Sequence, residues 1–175
     1  MAIEQSKRPV AAARMAKAAR SLLDASTLCA IATVGPDRSA YVNTAYFAWS
    51  PELDVVWLSE PHAQHSQNIR AQGTAAIAVY DSTQSWGKPD RGIQLFGSAH
   101  EIAESDSGDA EAVYAGRFAA YQRGELGAYR FYALHPRRIK LFDERDLGAG
   151  QFVTARVEDG GRLAWEGTAL YRADS

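Results

Sequence analysis

The sequence predicts a mainly β domain with flanking helices, built on an antiparallel barrel that is closed or nearly closed. Short apolar runs rich in branched and aromatic residues recur along the chain, and turn-forming residues separate them. Few segments have the composition or the periodicity of a helix. The chain has 175 residues, the length of one ordinary domain, and it shows no internal repeat and no interdomain linker. We therefore expect a single domain over residues 1–175.

The composition narrows the class of protein. Hydrophobic residues make up 46% of the chain, which is typical of a globular protein. The formal net charge of −2 gives no reason to expect binding to nucleic acid or to an anionic membrane. No apolar run approaches the roughly 20 residues of a membrane helix. Arg14, Lys17 and Arg20 interrupt the alanine-rich N-terminal stretch, so it lacks a signal-peptide core. These features predict a soluble cytoplasmic protein.

The first part of the chain predicts one helix followed by three strands. Residues 1–8 are polar and are expected to be loose, whereas Pro9–Ala25 is rich in alanine and suits a helix. The three apolar runs that follow are short, and the turn residues between them favour an antiparallel meander. These runs are Leu28–Val34, Tyr41–Trp49 and Asp54–Leu58.

The remainder of the chain predicts two helices and further strands. The first helix follows Pro61 and ends near Gly73, because glycine favours helix termination. Gly97 lies inside a predicted strand and indicates a bulge or a close backbone approach. His135-Pro136 is expected to interrupt a late strand. The predicted elements are the strands Thr74–Tyr80 and Ile93–Ile102, the helix Asp109–Tyr121, the strands Tyr129–Leu134 and Arg138–Phe142, and the tail hairpin Phe152–Tyr171.

The junction between the third strand and the next helix is the most informative stretch for function. Ser59 is a good helix N-cap residue, and Pro61 suits the first helical turn. Such a junction directs backbone N–H groups and the positive end of a helix dipole at one point, which favours a phosphate group. His65 and Gln67 follow about one turn later and within reach of that point. The alternative is that Ser59 only caps the helix and that both histidines, His62 and His65, lie on its solvated face.

Other reactive side chains form weaker patterns. His62 and His65 lie about one helical turn apart, but no Glu or Cys stands at a supporting spacing, so we expect no metal site. His100 and His135 are expected on the surface, with heme ligation as the alternative. Trp86 lies among polar turn residues, where it is expected to stack on a ligand or to pack at a dimer interface. No catalytic triad is evident, so any chemistry is expected to come from a cofactor.

The order and spacing of these motifs resemble the flavin-binding split β-barrels related to pyridoxamine 5'-phosphate oxidase. The similarity covers residues 22–150 of the chain. The matching motifs are Leu28–Val34 with the following Gly-Pro-Asp, Val56–Ser59 with Ala63–His65 and Asn68-Ile69, Ala76–Tyr80, Gly92–Gly97, and Arg138–Phe142 with Asp143 and Gly148.

The resemblance implies a homodimer that binds one FMN in each of two clefts at the dimer interface. It implies that the flavin phosphate lies near Ser59 and the start of the next helix, and that the second strand runs along the isoalloxazine ring. It also places Gln94 near the cleft and makes the loop Gln84–Trp86 a candidate cover, contributed by the same subunit or by its neighbour. The implied cofactor-binding residues are Asn43, Thr44, Ala45, Tyr46, Leu58, Ser59, His65, Ser66, Gln84, Trp86 and Gln94.

The chain departs from the family pattern in its charges. Many relatives carry Arg-Lys where this chain has Gln64-His65. The pyridoxamine phosphate oxidases also carry basic residues on the second strand, where this chain has Asn43, Thr44 and Tyr46. A phosphate dianion would therefore meet less fixed positive charge here. The basic substrate-binding residues of the vitamin enzymes are not evident either, so we do not expect that activity.

The leading hypothesis is an FMN-dependent oxidoreductase that acts on an unidentified small molecule. The pattern Ser59-x-x-x-Ala63-x-His65 also resembles the heme-utilisation branch of the superfamily, and other branches use a deazaflavin coenzyme. The fold alone therefore does not determine the cofactor. The alternatives are a heme-binding or heme-degrading protein and a non-catalytic module that binds flavin or no cofactor.

Overall fold

The computed structural model describes residues 2–122 and 127–172. Within these ranges the chain forms nine strands and three α-helices. The strands are β1 (Ala2–Ser6), β2 (Leu28–Val34), β3 (Ala40–Trp49), β4 (Val55–Ser59), β5 (Thr74–Tyr80), β6 (Arg91–Glu101), β7 (Arg130–Asp143), β8 (Gln151–Glu158) and β9 (Arg162–Arg172). The helices are α1 (Ala12–Asp24), α2 (Gln64–Gln72) and α3 (Gly108–Arg117).

The strand order confirms the predicted antiparallel barrel. Hydrogen-bonded neighbours follow the order β1-β9-β8-β7-β4-β3-β2-β5-β6, and β6 also pairs with β7. This last pairing closes the six strands β2 to β7 into an antiparallel barrel. The predicted class, mainly β with flanking helices, is therefore confirmed.

The chain divides into two compact units. The first unit comprises residues 1–26, 78–95 and 137–175, and the second comprises residues 27–77 and 96–136. Strands β5, β6 and β7 each contribute residues to both units. The single domain over residues 1–175 stays a prediction.

The first unit contains α1 and the paired strands β1, β9 and β8. Helix α1 packs against β9, and its buried residues recur at the spacing of one helical face. The N-terminal segment differs from the loose structure expected for residues 1–8, because Ala2–Ser6 pairs with β9 as an edge strand. Backbone pairing with β9 accounts for this order in a segment whose polar sequence gives no apolar signal. The buried residues of α1 are Met15, Ala18, Ala19, Leu22 and Leu23.

The second unit contains the predicted meander of β2, β3 and β4. Residues of β2 alternate between buried and accessible positions, and the pair Leu28↔Tyr46 fixes its register with β3. Gly97 of β6 confirms the predicted close approach, because a Cβ at this position would collide with the carbonyl oxygen of His135 on β7. The interruption expected at His135-Pro136 is wrong, since β7 runs through both residues. Pro136 falls between the segment of β7 that pairs with β4 and the segment that pairs with β8, so neither ladder needs its N–H group.

Three helix boundaries differ from the predictions by more than one residue. Helix α1 begins at Ala12 and not at Pro9, and α3 ends at Arg117, before Tyr121. At α2 the predicted N-cap is wrong: Ser59 is the last residue of β4, and the N-cap residue is Ala63. The stop at Gly73 is confirmed, because this glycine has φ 65° and donates its N–H to the carbonyl of Ile69 at 2.8 Å.

Candidate functional site

A cluster of two hydroxyls and one imidazole joins the end of β4 to the first turn of α2. The Oγ of Ser59 lies 2.6 Å from Nε2 of His65, and Ser66 donates its hydroxyl to Ser59 at 3.1 Å. Both serines are buried. The Ser59 hydroxyl also lies 3.5 Å from the carbonyl oxygen of Glu60, to which it can donate. Nε2 of His65 accepts a hydrogen bond from Ser59 in one ring tautomer and donates one to it in the other.

The environment of His65 favours the neutral imidazole. Its partial burial lowers the pKa of His65 below the ordinary histidine value, because burial disfavours the charged form. The neutral ring shares a hydrogen bond of 2.6 Å with Ser59. The cluster is therefore a polar, uncharged group that offers a hydroxyl and an imidazole.

A second polar network holds the only arginine of α2. Arg70 donates to the carboxylate of Glu101 at 2.8 Å and to the carbonyl of Pro61 at 2.6 Å. Tyr132 donates its hydroxyl to the same carboxylate at 2.8 Å, and burial raises the pKa of Tyr132. The guanidinium of Arg70 is thus committed to internal partners.

A pocket of about 380 Å³ lies beside the hydroxyl and imidazole cluster. Strand β3, the end of β4, the start of α2 and one residue of α3 contribute to its wall. Seven of the eleven predicted site residues line it, and Ser66 is buried behind Ser59. The lining consists of Asn43, Thr44, Ala45, Tyr46, Leu58, Ser59, Glu60, Ala63, His65, Tyr114 and Tyr129.

Two tyrosines of this pocket were not among the predicted site residues. Tyr114 of α3 is 8% exposed, and burial raises the pKa of its hydroxyl. Its ring contacts Phe118 with centroids 4.7 Å apart. The helical spacing predicted that Tyr114 packs on the sheet. A tyrosine also carries a polar hydroxyl, and this was the only indication in the sequence that the residue could line a cavity as well. Tyr129 precedes β7 and is exposed, so no periodic pattern distinguishes it.

The remaining three predicted residues belong to the first unit and do not line this pocket. The amide of Gln84 stabilises its own loop, since it accepts from the backbone of Arg91 at 2.6 Å and donates to the carbonyl of Asp81 at 3.0 Å. Trp86 is fully exposed in the same loop, and Gln94 lies on β6. Their contact with a cofactor or a partner chain stays a prediction.

The pocket has the donors that a phosphate group requires. The first turn of α2 leaves backbone N–H groups without helical partners, and Ser59 and His65 lie at the same end. The lining, drawn from the described part of the chain, contains no Lys or Arg, and Glu60 adds a carboxylate. A phosphate therefore fits by hydrogen bonding, with little help from fixed positive charge.

Two further findings bear on the kind of protein. Among residues 2–122 and 127–172, no group of three His, Cys, Asp or Glu side chains is arranged to hold a metal ion. Within the same ranges, every helix is too short or too polar to cross a membrane.

Comparison with known proteins identifies a family. Residues 15–143 match the family described as Pyridoxamine 5'-phosphate oxidase. No curated protein sequence matches the chain.

Several solved structures share the fold at low sequence identity. One is a heme binding protein from Mycobacterium smegmatis, with 16% identity and a TM-score of 0.65 over 89% of this chain and 61% of that one. Another is a pyridoxamine 5'-phosphate oxidase-related, FMN binding protein from Nostoc punctiforme, with 16% identity and a TM-score of 0.60 over 91% of this chain and 95% of that one. A third is an F420 reductase, with 22% identity and a TM-score of 0.54 over 69% of this chain and 94% of that one. Similar structures thus include proteins named for three different cofactors.

Proposed function

The chain belongs to the pyridoxamine 5'-phosphate oxidase family, and on that premise we propose that it is an FMN-dependent oxidoreductase. The observation that supports this proposal is the pocket in which Ser59, His65 and the first turn of α2 converge beside four consecutive residues of β3. Hydroxyl, imidazole and helix N–H groups suit a phosphate, while an extended strand suits the edge of a flat ring.

Each part of the pocket has a role in this proposal. Ser59, His65 and the N–H groups of α2 bind the phosphate, and Ser66 orients Ser59 from behind. The segment Asn43–Tyr46 lies along the ring, with Tyr114 on the facing helix. FMN, when bound, accepts and returns a hydride or single electrons. The protein binds and orients the cofactor and limits the access of water to it.

We also propose that the protein is a homodimer whose partner covers the outer face of β2 and β3. Four large apolar side chains on this face are accessible: Val42 is 71% exposed, Tyr46 is 58%, Leu28 is 44% and Val34 is 42%. The register pairs Leu28 with Tyr46, so the four lie on two adjacent strands. A contiguous apolar patch of this kind favours a protein interface. Tyr46 also lines the candidate cofactor pocket, which supports a cofactor bound near the interface.

A deazaflavin coenzyme is the second candidate for the same pocket. The absence of Lys and Arg from the described lining reduces the advantage that a phosphate dianion gives FMN. The proposed redox role would stay the same, since the deazaflavin would also act as a hydride carrier.

An absorption spectrum of the protein as purified, followed by titration with FMN, riboflavin, a deazaflavin and hemin, tests these proposals. We expect a flavin spectrum, or a flavin spectrum restored by FMN, with FMN bound more tightly than riboflavin. Preference for the deazaflavin would support the second candidate. A Soret band without flavin binding would support the heme hypothesis and contradict ours.

A further inference from the structure

We propose that the second unit contains another ligand site, which binds a small aromatic molecule carrying a positive charge. The site is a cavity of about 560 Å³ formed by β4, β6, β7, α3 and the turn between β3 and β4. It shares no lining residue with the candidate cofactor pocket. Its volume is in the range of pockets that hold small organic ligands.

The floor of this cavity is apolar. Val56 of β4, Ala110 of α3 and Ala133 of β7 line it and belong to one buried cluster. Ile102 and Val113 extend the same surface and are partly accessible. A hydrophobic body placed here would remove apolar surface from water, which is the main source of affinity for a small ligand.

Two stacked imidazoles contribute to the wall of the cavity. The rings of His100 and His135 lie with centroids 5.1 Å apart and planes 18° apart. Asp54 fixes the orientation of His135 through a contact of 2.9 Å between Oδ1 and Nδ1. Another aromatic ring can extend such a stack on the outer face of an imidazole. The shape of this wall therefore favours a planar ligand.

The charges around the cavity select a cation. Carboxylates come from two separate segments of the chain, the turn between β3 and β4 and the segment that leads into α3. Among the described residues that line the cavity there is no Lys or Arg. Burial lowers the pKa of His100, which disfavours a positive charge on this ring, and His135 is paired with Asp54, so three carboxylates of the described lining have no histidine partner. A ligand with phosphate or propionate groups would be repelled. The acidic residues of the lining are Glu52, Asp54, Asp106 and Asp109.

Benzamidine tests the proposal because it is a planar aromatic cation, and two isosteres separate the contributions. Benzamide keeps the shape without the charge, and benzoate reverses the charge. We expect calorimetric titration of the intact protein to show one benzamidine site, with benzamide bound roughly tenfold more weakly and benzoate not bound. Equal binding of benzamidine and benzamide, or no binding of benzamidine at millimolar concentration, would overturn the proposal.

Variants and NMR locate the site. Asp109→Asn and Glu52→Gln should each weaken benzamidine binding about two- to fivefold, because each removes one exposed charge. The control Asp159→Asn removes an exposed charge from the turn between β8 and β9 and should leave the affinity unchanged.

The imidazole proton signals of His100 and His135 should shift on binding, while that of His65 should not. A shift confined to His65 would place benzamidine in the candidate cofactor pocket and would contradict a second site. The flavin titration does not enter this test, so either proposal can fail alone.

Discussion

The side chain of His65 shows how one residue combines burial with a specific hydrogen bond. The sequence singled out Ser59, His65 and Ser66 as neighbours, and the structure brings them into one cluster. The N-cap role predicted for Ser59 was wrong, because Ser59 bonds to the imidazole and Ala63 is the N-cap residue of α2. The direction of the Ser59 hydroxyl depends on the three-dimensional path of the turn between β4 and α2, which the sequence pattern does not determine.

His65→Ala should weaken FMN binding roughly tenfold to a hundredfold, because it removes a hydrogen bond to a charged group worth about 1.5–3 kcal/mol. Riboflavin lacks the phosphate, so its affinity should change little. Fluorescence titration of both flavins provides the measurement. Equal losses for the two flavins would show that His65 does not act on the phosphate.

The affinity for FMN should also fall as pH rises. The pKa of His65 in the free protein is lowered by burial, and a bound phosphate dianion would raise it. The phosphate interaction with imidazolium is therefore complete at a pH below the free-protein pKa and is lost as pH rises through the higher pKa of the complex. The control variant His65→Gln keeps a hydrogen-bond donor that does not titrate. Subtracting the pH profile of its FMN affinity from that of the wild type removes the contribution of the titration of the FMN phosphate itself. A difference profile that is flat would contradict the proposed coupling.

At the scale of single elements, replacing glycine by alanine should have opposite effects on stability at two positions. Gly97→Ala should destabilise the protein by about 1–3 kcal/mol, because the added Cβ would collide with the backbone of β7. Gly116 lies in α3 and has open space around its Cβ position, so Gly116→Ala should stabilise the protein by about 0.5–1 kcal/mol. Urea denaturation midpoints measure both effects. Similar changes in the two variants would show that loss of glycine flexibility, and not the close contact, dominates.

The accuracy of the sequence predictions for these elements follows from the kind of signal each one carries. β2 and β5 match their predicted bounds because continuous apolar runs with clear turn residues define them. β1 was missed because its order comes from pairing with β9, a long-range contact with no local pattern. The end of α3 was misplaced because Phe118 and Tyr121 continue the helical spacing after the helix has ended, and both still pack on its apolar face.

At the scale of the whole molecule, the outer face of β2 and β3 predicts the oligomeric state. Val42→Lys should convert a dimer to a monomer and weaken FMN binding, because it places a charge at the centre of the apolar patch. Ile3→Lys is the matched control, since Ile3 is 60% exposed on β1, in the first unit. Light scattering at micromolar concentration, with and without FMN, measures the mass. A wild-type monomer with bound FMN would contradict the shared-cleft proposal.

Because Cys29 is buried, the reactivity of the only thiol in the chain reports on transient opening of the structure around it. Cys29 is 2% exposed, and burial raises its pKa to about 12. At pH 8 this reduces its thiolate fraction by about three orders of magnitude relative to a free thiol. We therefore expect a disulfide reagent such as dithionitrobenzoate to react at once with one thiol in denaturant and only slowly with the native protein. If β2 and β3 separate transiently, the rate of this reaction gives the frequency of that event without any introduced label.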